Sequence, residues 1–233
     1  MVITGIFRIS NKKSVVEFDH EIRISLYNRE ISKFGLELHA DYPEEDYHQL
    51  LQDILYPRAK ERVYHLLIQS DRTESDVREK LQNAYYPQEI IDIVIEKMRY
   101  MGYIDDERYA RNYISNHYKQ KSIKMIYNAL MRKGISKECM EQCMNEIIEE
   151  QQDSGNFIQD KQEICQYNDC IETAQKAIIY KEIEKRHYFE KKELSDEREC
   201  MNLKQKIISS LMRKGFSYDE IESVFLTMER EKC

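Results

Sequence analysis

Residues 130–134 and 211–215 are the same five amino acids, Leu-Met-Arg-Lys-Gly, and each copy closes one amphipathic helix and opens another. Gly134 and Gly215 stand where a helix end favours a left-handed residue, and Ser136 and Ser217 stand where the next helix takes its N-cap. Glu220, three residues after Ser217, completes a capping box. A third stretch, Leu81 to Pro87, occupies the same place earlier in the chain. It has Tyr85 for the glycine and Pro87 for the serine, which predicts a turn built differently. The helices that follow share one apolar stripe at i, i+3, i+4, i+7: Ile91, Val94, Ile95, Met98; then Met140, Cys143, Met144, Ile147; then Ile221, Val224, Phe225, Met228.

Each pair of helices is preceded by another. Residues 58–69 carry Ala59, Val63, Leu66 and Leu67. Asp105 caps a helix bearing Tyr109, Tyr113 and Ile114, with Ile104 placed to staple against Tyr109. A longer helix covers roughly residues 170–192. The unit is three helices used three times, with copies 49 and 81 residues apart. Modules of this kind bury a face that the neighbouring module completes. The expected fold is therefore mainly α, with tandem three-helix repeats in an elongated curved array. Expected boundaries are 58–104, 105–150 and 170–233 for the repeats, with Gln151 to Asp169 as linker.

Residues 1–57 differ. Ile3, Gly5, Phe7 and Ile9 alternate as in a strand, and Val16, Phe18, His20, Ile22 and Ile24 alternate in the next run. Asn11-Lys12-Lys13-Ser14 between them reads as a hairpin turn. A short helix is expected over Ser25–Phe34, stopped by Gly35, and another after Asp41 with Pro43 near its first turn. This is a small N-terminal β-hairpin element. With only 6 Gly and 3 Pro in 233 residues, a sandwich or barrel lacks the turn-formers it needs.

The chemistry expected of an enzyme is missing from the pattern. There is no Gly-rich phosphate loop, no G-x-S-x-G and no H-E-x-x-H. Asp105-Asp106-Glu107 reads as carboxylates satisfying a helix N-terminus, not a metal site. The histidines at 20, 39, 48, 65, 117 and 187 are scattered. Cys139, Cys143, Cys165, Cys170, Cys200 and Cys233 form no C-x-x-C and read as reduced thiols. No catalytic residue, cofactor or metal is assigned. Without a membrane span or signal peptide, the expected location is the cytoplasm.

Charge supplies the remaining signal. The chain is acidic, with 36 Lys and Arg against 43 Asp and Glu, yet Arg108 to Lys137 holds eight basic residues and no acidic one. Within it lie Arg108, Arg111, Lys119, Lys121, Lys124, Arg132 and Lys133. Arg213 and Lys214 repeat the last two in the third module. These nine residues are the candidate partner-binding set. Read from the residues alone, a solvated face and a partner-contacting face are equally good accounts. The interleaved Tyr109 and Tyr113 are expected to line the core.

Gly102-Tyr103-Ile104-Asp105-Asp106-Glu107-Arg108-Tyr109-Ala110 resembles the Gly-Tyr-Ile-Asp-Asp-x-Arg-aromatic-Ala segment of the RecX family of bacterial recombination regulators. Arg72 to Val77 with Leu81 resembles that family's Arg-Ser-x-x-Glu-Leu…Leu pattern, with Thr73 for Ser and Asp76 for Glu. Leu211 to Glu220 resembles its Leu-x-x-x-Gly-Phe-Ser stretch. The resemblance covers about 58–150 strongly and 170–230 moderately. It implies a regulator, not an enzyme, that binds the RecA recombinase filament on single-stranded DNA and touches more than one subunit. It would restrain ATP hydrolysis, strand exchange and stimulated repressor cleavage, placing it in homologous recombination, DNA repair and the SOS response. Acting as a monomer and direct contact with DNA inside the filament are part of this expectation. The alternative is a helical regulator that binds DNA directly, with a short helix-turn-helix in a groove.

Overall fold

A computed structural model describes residues 1–153, 167–190 and 197–232. The chain packs as two compact units, residues 1–109 and 110–233.

The first unit opens with three strands, β1 (Ile3–Arg8), β2 (Lys13–Phe18) and β3 (Ile22–Tyr27), in an antiparallel sheet of that order. The expected hairpin is thus a three-stranded meander, and the short helix expected from Ser25 begins only at Asn28 (α1, Asn28–Lys33). The miss has a simple cause. Asp19 and His20 both take positive φ, 50° and 63°, and the Glu21 N–H donates to the Phe18 carbonyl, so the chain reverses there. Three residues separate the paired Phe18 and Ile22. An odd-length turn preserves the parity of the side chains, so the alternation runs through the reversal as though the strand were continuous.

Helix α2 (Glu44–Leu50) passes through a π-turn at Leu51–Leu55 into α3 (Tyr56–Gln69). Pro57 lies just beyond that turn. Proline has no N–H to give and its ring crowds the carbonyl four residues back, and a locally widened helix accommodates both. Helices α4 (Glu74–Gln82) and α5 (Gln88–Tyr100) complete the first triplet. Sheet and helices share one core, in which Val16, Phe18 and Leu26 join Val63, Leu81 and Met98.

The second unit holds most of α6 (Asp106–His117), then α7 (Ile123–Met131), α8 (Lys137–Asp153), α9 (Tyr167–Lys185), α10 (Glu197–Arg213) and α11 (Tyr218–Lys232). The two ends of the expected linker are helical, and 154–166 lies outside the described residues. The helix expected over 170–192 stops at Lys185, because His187 takes φ 53° and turns the chain. In α6 the buried residues are Ala110 and Ile114. The expected Ile114 is thus in the core, whereas Tyr109 and Tyr113 are only half-buried and Ala110 takes their place.

All twelve stripe residues are buried, none more than 4% exposed. The turns that aim them are identical in all three copies. Tyr86, Ile135 and Phe216 donate their N–H to the carbonyls of Leu81, Leu130 and Leu211, and the preceding residues close the inner bond. Those preceding residues are Tyr85, Gly134 and Gly215, with φ of 59°, 81° and 89°. Tyr85 therefore adopts the glycine conformation, and the expectation of a different turn is corrected. A left-handed non-glycine residue costs about 1–2 kcal/mol, whereas each buried stripe side chain contributes about 1.5–3 kcal/mol. Four such side chains outweigh the strained tyrosine. The caps follow the sequence reading: Ser136 Oγ accepts the Cys139 N–H, and Ser217 and Glu220 form the capping box.

Glycine matters most at Gly215, where an added β-carbon would lie 2.4 Å from Ser122 Oγ and 2.7 Å from Met125 Cβ. Gly102 also has positive φ, but nothing lies within 4 Å of its missing β-carbon. Gly102→Ala should therefore cost only the backbone strain, about 1 kcal/mol. Gly215→Ala should cost at least about twice that. Urea unfolding of the two variants beside the parent measures the difference; equal losses would mean that the Ser122 contact is slack.

Candidate polyanion-binding clefts of the second unit

Ser122 organises the second unit. It caps α7, its Oγ accepting the Met125 N–H at 3.3 Å, and that same hydroxyl donates to the Gly215 carbonyl at 2.8 Å. Its N–H donates to the Lys214 carbonyl at 2.9 Å, and the next N–H, of Ile123, donates to Gln175 Oε1 on α9 at 2.9 Å. Thr73, 49 residues earlier, caps α4 in the same way, and the following N–H, of Glu74, donates to Asp106 Oδ1 at 2.8 Å. The start of a middle helix is thus closed by a side chain from the next helix triplet. This explains Asp106. Burial pushes its carboxyl above the ordinary range, and the Glu74 N–H opposes that shift. Asp105, as expected, caps α6 by accepting the Arg108 N–H at 2.8 Å.

Fixing the α6–α7 loop against α9 and the α10–α11 turn brings cations together from three places in the sequence. One cleft, of about 460 Å³, is lined by Lys119, Lys121, Lys181, Lys185 and Lys214, with Glu182 the one acidic side chain among its described lining residues. Glu182 is nearly buried. It accepts from Lys214 Nζ at 2.6 Å and from Arg186 at 3.1 Å. The Lys214 hydrogen bond, seconded by Arg186, holds the Glu182 carboxyl below the usual carboxylate range despite the opposing effect of burial. The carboxylate thus fixes Lys214 while the other four lysines ring the opening. Lys121 Nζ lies 5.8 Å from the Tyr113 ring centre, and Tyr113 stacks on His117 at 4.2 Å. Lys119 Nζ lies 5.3 Å from the Tyr118 ring. These contacts hold the lysine stems without removing their charge.

On the other side of the Ser122 junction a larger groove, of about 880 Å³, is lined by Lys124, Arg132, Lys176 and Arg213, opposed by Glu172 and Glu220. The structure therefore gathers six of the nine sequence-predicted residues into two adjoining clefts. The other three lie elsewhere. Arg108 donates to the Gly102 carbonyl in the first unit, Arg111 pairs with Glu146, and Lys133 is half-buried and not at either opening. Sequence reasoning missed Lys176, Lys181 and Lys185. The available signal was the i, i+4 pair Lys181 and Lys185 on a helix whose opposite face carries Ile179 and Ile183. It was hidden by counting charge over an acidic segment.

Several ammonium groups around a cleft whose one described carboxylate is already paired give it a positive field, the chemistry that suits a polyanion such as a phosphodiester chain or a carboxylate-rich protein surface. Helical triplets that share a repeated turn define a class: a helical-repeat protein. Family models for the three three-helix domains of RecX match this chain at residues 59–98, 105–144 and 174–225, together more than half of it. The chain belongs to the RecX family of regulatory proteins. It is 29% identical to regulatory protein RecX of Finegoldia magna over 96% of this chain and 98% of that one. It is 28% identical to regulatory protein RecX of Clostridium acetobutylicum over 75% and 72% of the respective chains. A crystal structure of regulatory protein RecX aligns with 96% of this chain and 98% of its own, at 20% identity and a TM-score of 0.49. Among the described residues, no helix is long and apolar enough to cross a membrane.

The Glu182 cluster predicts a pH dependence. A carboxyl held low in the folded state stabilises it at pH values above the ordinary carboxylate range, and that contribution is lost as pH falls below about 4. Glu182→Gln should therefore melt lower than the parent at pH 7, with the gap closing toward pH 3. Thermal unfolding monitored at both values tests this, and a gap independent of pH would reject the ion cluster as its source.

Proposed function

We propose that this protein binds the RecA recombinase filament on single-stranded DNA and restrains its ATP hydrolysis, strand exchange and stimulated repressor cleavage. It acts in the cytoplasm as a monomer and by occupancy, with no reaction of its own. Membership of a regulatory family supports this reading. The observation that carries it is the convergence of Lys119, Lys121, Lys181, Lys185 and Lys214 on one cleft, in a chain that is otherwise acidic. A local positive site in a chain of net charge −7 engages a polyanion at one orientation while the remainder discourages indiscriminate binding to duplex. Several weak contacts on successive repeats gain affinity through effective concentration when the partner is itself a repeating polymer.

The decisive measurement is ATP hydrolysis by preformed RecA filaments with and without this protein, paired with co-sedimentation. Inhibition at or below equimolar protein is expected. Unchanged hydrolysis with no co-sedimentation would reject the proposal. The triple variant Lys119→Glu, Lys181→Glu, Lys185→Glu should weaken inhibition at least about tenfold, since each reversal turns an attraction into a repulsion, with helix content unchanged by circular dichroism.

The same cleft also favours a second reading, direct DNA binding. A salt titration separates the two. Tight binding to bare DNA without recombinase, with a steep fall in affinity as salt rises, belongs to the second reading alone.

A further inference from the structure

The first unit carries a surface of different chemistry. Tyr64 and Ile68 lie one turn apart on α3, beside the turn that follows α5. The Tyr64 ring meets Tyr103 edge to face at 5.4 Å, and its hydroxyl lies 3.6 Å from Met101 Sδ. Lys60 Nζ stands 5.8 Å from the Tyr64 ring centre, and the Arg108 guanidinium donates to the Gly102 carbonyl at 3.1 Å. Ile68 is 81% exposed, Tyr103 49% and Met101 42%. An isoleucine left that open stands one turn from two tyrosines and a thioether that hold one another, so those three side chains have less entropy to lose on contact.

We infer that Lys60, Tyr64, Ile68, Met101, Tyr103 and Arg108 form a protein-docking anchor. It takes an apolar side chain flanked by carboxylates on the partner. Tyrosine, methionine and arginine are the residues enriched at the desolvated centre of protein interfaces. The two cations stand at the edges of the patch, where they meet acidic neighbours of an apolar anchor. A nucleic acid fits less well. Ile68 and Met101 offer no ring to stack a base, and the two cations do not form a row that could follow a phosphate backbone. A second copy of this chain would set two cationic rims against each other. This assignment rests on the filament reading, with the recombinase as the carboxylate-bearing partner. It gives the first unit a protein contact separate from the polyanion clefts of the second.

The test uses full-length parent, Ile68→Ser with Tyr103→Ser, and Ile68→Lys alone. The single change at a position that open keeps the test free of folding effects. Three quantities are read: co-sedimentation with recombinase filaments, anisotropy of bare single-stranded DNA over a salt series, and sedimentation velocity of the free protein. Filament affinity is expected to fall at least about tenfold in both variants, with DNA affinity and salt slope unchanged in both and melting temperature unchanged in Ile68→Lys. Filament binding equal to the parent overturns the assignment. A parallel loss of affinity for bare DNA overturns it in favour of base stacking. A parent dimer dissociated by the variants overturns it in favour of self-association. A parent that binds no filament at all rejects the filament reading itself, a result distinct from any change among the variants.

Discussion

The left-handed turn between the second and third helix of each triplet is the constraint on which the rest depends. Its outer hydrogen bond, from Tyr86, Ile135 or Phe216 back to the leucine five residues earlier, sets where the third helix starts. A slip of one residue would rotate the following helix by about 100° and turn its apolar stripe away from the core. That the first copy keeps this geometry with a tyrosine at φ 59° shows what the fold protects. Packing of the stripe fixes the turn, and the glycine only makes the turn less costly. At Gly215 the requirement is doubled, because the Ser122 hydroxyl fills the space a side chain would need.

The same hydroxyl connects folding to the clefts. Ser122 has one side chain and two tasks, capping α7 and holding the α10–α11 turn. Because Lys119 and Lys121 lie within the three residues before it and Lys214 immediately precedes Gly215, the bonds that secure the loop also bring cations together. Like charges gathered around one cleft repel. The repulsion is bearable because the site is open to water, where a unit pair at about 6–8 Å costs well under 1 kcal/mol, and because Glu182 compensates Lys214 directly. A cleft more deeply buried would need more carboxylates and would lose the charge that makes it useful.

Much of this was legible in the sequence, and where it was not, the reasons are physical. The stripes, caps and repeat followed from helical period and from a five-residue identity, both local properties. The N-terminal sheet was half-read because a three-residue reversal preserves the alternation from which strands are recognised, leaving Asp19 and His20 as the only local hint. The core face of α6 is read correctly at Ile114 but not at Ala110, whose place the larger Tyr109 and Tyr113 take in the sequence pattern, and a helix crowded against a neighbour buries its small residues most easily. The clefts could be read only in part. Lys119, Lys121 and Lys214 stand in recognised segments, but their association with Lys181 and Lys185 depends on Ile123 bonding to Gln175, 52 positions away, and Lys214 to Glu182, 32 positions away. No periodicity encodes a contact of that range.

The two surfaces differ in how they discriminate. Attraction between the lysine clefts and a polyanion is long-ranged, tolerant of geometry and weakened by salt, so it speeds encounter while distinguishing poorly among phosphate chains. The apolar centre of the Tyr64–Tyr103 anchor is short-ranged and less sensitive to salt than the clefts, and it rewards a partner whose apolar side chain fits there. On the proposed reading, a regulator carrying only the first would collect on any nucleic acid, and one carrying only the second would find its partner slowly. With both on one chain, the proposed binding is strongest where protein and polyanion occur together, and that condition would separate an assembled filament from free recombinase and from bare DNA.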